Sequence, residues 1–138
     1  MATDITVDDF MSGVLAELAL HGEREIALDD QVFDQRCQRA FQHLREVAPA
    51  LGLGLRFVIV LHPFHHDSPV VRTALAEAGQ RGLIGPGDGP YRLRIRLSDP
   101  EARGLLSGIP GGALLYQSLG RVMLSDPGLT EGGRPGLG

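Results

Sequence analysis

Apolar residues recur along the chain at two spacings, and the switches between the two mark its elements. Phe10, Met11, Val14, Leu15 and Leu18 repeat with helical period, and Thr6 followed three residues later by Asp9 has capping-box spacing. This predicts a first helix that stops near Gly22. Glu25 to Leu28 reads as a short strand. Asp30 then has the character of an N-cap, and Phe33, Cys37, Ala40, Phe41, Leu44 and Val47 form the stripe of a second helix that ends before Pro49.

The run Phe57 to Leu61 is continuously apolar and β-branched in its middle, which predicts a strand from Leu55 to Leu61 buried on both faces. Ser68 before Pro69 starts a third helix with Val71, Ala74, Leu75 and Ala78 inward. Gly85 to Pro90 reads as a turn or loop, holding three glycines and two prolines. Tyr91 to Leu97 alternates without a break, placing Tyr91, Leu93, Ile95 and Leu97 on the core side and Arg92, Arg94 and Arg96 on the other. Ser98 and Glu101 repeat the capping-box spacing ahead of Ala102, Leu105, Leu106 and Ile109. After Pro110-Gly111-Gly112, a last helix carries Leu115, Leu119, Val122 and Met123. The sum is an α/β (or α+β) fold, with a small two- to three-stranded sheet, a parallel crossover and about five helices. Residues 1–125 form its single domain, and the glycine- and proline-rich stretch 126–138 reads as a disordered tail.

Composition narrows the functional classes. With 138 residues, 43% apolar and 22% charged, the chain suits one folded domain and not a disordered segment. No apolar run approaches the roughly 18 to 20 residues of a membrane span, and the first ten residues carry three aspartates and no base. A cytoplasmic location without a membrane partner is the expectation. The single cysteine, Cys37, excludes an internal disulfide, and its place in an apolar stripe predicts an inert buried thiol. The net charge of −4 hides a division: residues 1–34 hold nine acids and one arginine, and the remainder holds twelve arginines and eight acids. All thirteen basic residues are arginine, a usage that fits GC-rich coding in a bacterial source.

Two segments offer candidate chemistry. His62, His65, His66 and Asp67 lie between an expected strand and an expected helix, where α/β folds often place ligands. Imidazoles beside a carboxylate can bind a metal or serve as a base near neutral pH. Their spacing matches no helical metal motif, so which metal, if any, stays open. The second candidate is the row Arg92, Arg94 and Arg96, whose members stand about 6.6 Å apart along a strand and could grip an acidic surface. No nucleophile elbow or phosphate loop is present, so no catalytic residue and no cofactor are expected.

Gly82-Leu83-Ile84, a glycine-rich turn and Tyr91 to Leu97 resemble the recognition-helix end and wing of winged-helix regulators over about 30 residues. That resemblance implies DNA binding, yet the third helix offers only Arg72 and Arg81 as bases. The sequence therefore points first to a non-enzymatic, accessory or regulatory interaction module with a protein partner, able to self-associate. A metal-dependent hydrolase on the His62–Asp67 loop and a winged-helix-like DNA-binding regulator are the alternatives.

Overall fold

The computed structural model describes residues 3–125; the expected tail lies outside them. Element order is β1 (Thr3–Ile5), α1 (Val7–Leu20), β2 (Glu25–Ala27), α2 (Val32–Val47), a 3-10 turn (Pro49–Leu51), β3 (Leu53–Leu55), α3 (Pro69–Gln80), β4 (Ile84–Pro86), β5 (Arg92–Ile95), α4 (Asp99–Gly108) and α5 (Gly112–Leu124). The mixed α/β class and five helices agree with the sequence reading.

Helix α1 forms the axis because it has almost no polar side. Every residue from Phe10 to Ala19 is buried, as expected of a helix enclosed by others. It packs on α3, α4 and α5, while α2 packs mainly on α5. Small residues set the closest approach. A Cβ at Gly13 would lie within the ring of Tyr116, so glycine is what lets α5 seat its tyrosine there. The Thr6–Asp9 and Ser98–Glu101 capping boxes both form, and Ser68 Oγ accepts the Val71 N–H at 3.2 Å. The start of α2 differs from expectation. Its N-cap is Gln31, in the left-handed region at φ 59°, and Asp30 stands one residue earlier, accepting the Val32 N–H at 3.1 Å.

The strands divide into two sheets. β1 and β3 pair in parallel, Thr3 opposite Leu53, so the crossover spans α1, β2 and α2. β2, β5 and β4 form an antiparallel sheet in that spatial order, with β5 in the middle. The hairpin β4–β5 takes up Ile84 to Pro86, which sequence patterning assigned in part to a loop. Pro86 is tolerated because β4 is an edge strand.

The expected strand from Leu55 to Leu61 is corrected. Regular pairing ends with the Arg56 N–H on the Ile5 carbonyl, because β1 is only three residues long. Beyond it the chain alternates: Phe57 packs against Phe10 and Phe41, and Ile59 is 3% exposed. Val58 and Val60 are 56% and 63% exposed, so only one face of the segment is buried. Tyr91 also departs from its expected core position. It is 68% exposed at φ 60°, turned outward by the hairpin bend.

Candidate functional site

Position in the sheet decides what the arginine row can do. β5 is the central strand, fixed on one side by β2 and on the other by β4, so the row is held on a backbone that cannot fray at an edge. Along β5 and the residue that follows it, Leu93 and Ile95 turn inward while Arg92, Arg94 and Arg96 stay exposed, and Arg92, at the strand's start, also borders the space beside α3.

The three guanidiniums are not equivalent. Arg94 lies opposite Glu25 on β2 and donates to its carboxylate at 3.2 Å, and it donates to Asp88 of the hairpin turn at the same distance. It is neutralised within the fold. The Arg96 side chain passes over Gly85, which pairs with Arg94, and a Cβ there would collide with its guanidinium, so the missing side chain on β4 gives it its channel. Arg92 faces Ala27, which offers no counter-charge. Among the described residues, neither Arg92 nor Arg96 makes an ion pair. Their Cα atoms stand about 13 Å apart, four strand residues at about 3.3 Å each.

The histidine segment is a closed turn. His62 N–H donates to the Asp67 carbonyl at 2.7 Å, and His66 N–H donates to the His62 carbonyl at 2.9 Å. His62 Nδ1 accepts from the backbone N–H groups of Phe64 and His65 at 3.1 and 3.2 Å, and its ring lies 4.6 Å from that of His65. One imidazole nitrogen is thus spent on the chain itself. His65 and His66 are exposed and Asp67 half-buried. Among the described residues, no group of three or more histidine, cysteine, aspartate or glutamate side chains is arranged to hold a metal ion.

Sequence patterning passed over the most connected polar group. Asp34 is fully buried, accepts the Ser68 N–H at 2.9 Å and takes three hydrogen bonds from Arg72 at 2.8 to 3.2 Å. Arg72 Nη2 also donates to the Leu28 carbonyl at 3.0 Å. The hydrogen bond with Asp34 raises the Arg72 pKa above its ordinary value. Burial, with Asp34 beside it, pushes the Cys37 thiol well up, in keeping with an inert thiol. The signal was in the sequence: Asp34 falls on the same helical face as Cys37 and Phe41, and a carboxylate on a buried stripe must find a cation or a donor.

A groove of about 690 Å³ opens between α3 and the β4–β5 hairpin, with Arg92 in its wall. Among the described residues, no helix is long and apolar enough to cross a membrane. No protein-family model, curated protein or solved structure matches the chain.

Proposed function

We propose that the chain is a non-catalytic interaction module that receives an acidic protein partner on the outer face of its three-stranded sheet. The observation that carries this reading is the division of labour within one strand. Arg94 is satisfied internally by Glu25 and Asp88, while Arg92 and Arg96, on either side of it, keep their charges available. Charge on a rigid strand loses less side-chain and backbone freedom on binding than charge on a loop. Arg96 is further guided by its channel over Gly85. A partner with two carboxylate clusters about 13 Å apart would match the row.

The test is affinity capture with the double charge reversal Arg92→Glu/Arg96→Glu, leaving Arg94 and its partners in place. The wild-type chain retains a partner that the folded variant loses, and salt weakens that retention. Equal retention by both chains removes the arginine face from the reading.

A second reading draws on the end of α3 and the β4–β5 hairpin that follows it, the stretch that resembles a recognition-helix end and wing. It is weaker because the exposed positions of α3 are Pro69, Thr73, Ala76, Gly79 and Gln80, none of them basic. Arg72 is occupied by Asp34, and Arg81 donates to Ser12 at 2.9 Å. Retention on duplex DNA that falls steeply with salt and is lost in the same double variant would favour DNA over protein.

A further inference from the structure

The groove beside α3 has the makings of a small-molecule site. Its volume of about 690 Å³ falls within the ~300–1,000 Å³ typical of ligand pockets. Its walls come from two elements joined by a short turn. Leu75, Ala76 and Gly79 of α3 face Ile84 and Leu93 of the hairpin. Positions 72, 76 and 79 share one face of the helix. Alanine and glycine place nothing long at two of them, so the space between helix and hairpin stays open.

The two ends of the groove differ in chemistry. At the end near the turn, Gly79 and Ile84 present only apolar surface. At the other end Leu28, Arg72 and Arg92 come together, the Leu28 N–H donating to the Tyr91 carbonyl at 2.8 Å. Arg72 spends Nε and Nη2 on Asp34 and Leu28. The two N–H groups of its Nη1 have no partner among the described residues. Arg92 makes no ion pair there either, and no acid lines the groove itself, while the charges of Asp34, Asp67 and Asp30 act on Arg72 from outside its lining. An apolar slot bordered at one end by Arg92 and by the spare Nη1 of Arg72, whose charge Asp34 already offsets, is complementary to one kind of molecule.

We propose that this groove binds a small amphipathic carboxylate, with its apolar chain along Ala76, Gly79, Ile84 and Leu93 and its carboxylate at Arg92 and Nη1 of Arg72. The site shares Arg92 with the arginine face but does not rest on that function. Ala76 and Gly79 belong to the groove alone. A ligand held there would also compete with a protein partner for Arg92.

The experiment is an amide-resolved NMR titration of the full chain with octanoate, with octanol and octyltrimethylammonium as matched neutral and cationic probes. Octanoate should produce saturable shifts at Ala76, Gly79 and Leu93. The neutral probe should bind about tenfold more weakly, the equivalent of one charge-assisted hydrogen bond, and the cation more weakly still. Ala76→Phe fills the groove from an exposed helix position and should cost octanoate about tenfold or more in affinity. Arg92→Gln should weaken octanoate and leave octanol unchanged. No saturable shift at these three residues, equal affinity for the three probes, or full binding by folded Ala76→Phe would each overturn the site.

Discussion

Arg72 grips the buried carboxylate of Asp34 through both Nε and Nη2, at 2.8 to 3.2 Å, and so ties α3 to the first turn of α2 across the irregular stretch between them. The carboxylate has no solvent to fall back on. Removing its partner therefore costs more than the pair itself is worth. Arg72→Ala should lower stability by about 3 kcal/mol, and Asp34→Ala by a similar amount. The double variant should lose clearly less than the sum, as read by urea denaturation. Additive losses would mean that the two side chains do not act on each other.

Tyr116 is fully buried against Gly13, and its hydroxyl has no hydrogen-bond partner among the described residues. Deleting that oxygen removes an unsatisfied polar atom and keeps the ring. Tyr116→Phe should be neutral or stabilising by up to about 1 kcal/mol. Gly13→Ala places a methyl group in the ring's position and should cost more than about 2 kcal/mol. Thermal melting of the two variants should move in opposite directions or differ by several degrees.

Buried Cys37 and Tyr116 set an alkaline limit. Burial raises both groups above their ordinary values of 9.0 and 10.0, with Asp34 adding to the effect on Cys37 and Asp9 on Tyr116. Below about pH 9 the folded and unfolded chains both keep these protons, and stability is unaffected by either group. Above it only the unfolded chain releases them, so stability falls as pH rises. A melting series from pH 8 to 11 should fall for the wild type and fall less for Cys37→Ala. Glu101 acts at the acid end. The Ser98 backbone N–H, with its hydroxyl, lowers the Glu101 carboxyl below its ordinary 4.5, and this support for α4 is lost as pH falls through that lowered value.

The segment after β3 should respond to substitution with period two. Ile59→Ala should cost about 2 to 4 kcal/mol, the price of a core cavity. Val58→Thr and Val60→Thr, at exposed positions, should stay within about 0.5 kcal/mol. Equal costs at all three would restore the picture of a strand buried on both faces.

Gly85 makes a prediction about geometry rather than stability. Gly85→Ala intrudes on the far end of a flexible side chain, so Arg96 must swing away while the fold yields little. Stability should change by less than about 1 kcal/mol. Partner retention should nonetheless fall towards that of Arg96→Glu.

What the sequence disclosed depended on the range of the cause. Caps and helical stripes are local, so Ser68, the Ser98–Glu101 box and the inner face of α3 could be read directly. The alternation in β5 was equally plain. Its central place was not, because that depends on β2, a strand of only three residues lying some sixty-five positions earlier. Leu55 to Leu61 misled for a related reason. An apolar run reports side-chain character, and whether both faces are covered depends on how many residues β1 can offer opposite. For the candidate site, the arginine row was visible in the sequence. The inequality among its members came from Glu25, on a distant strand, and from Gly85 and Asp88 of the hairpin itself, whose placement depends on the pairing register.

The parallel pairing of β1 with β3 bears on the order of folding. Thr3 must meet Leu53, with two complete helices intervening, so the contact closes a loop whose entropic cost is met before the few ladder bonds reward it. The helical pairs and the β4–β5 hairpin, built from near neighbours, have no such delay. The amino-terminal strand is therefore the clasp that fastens last, and the protons of the Thr3 and Arg56 amides, which donate to the Gly52 and Ile5 carbonyls, should be the final ones protected in a refolding experiment.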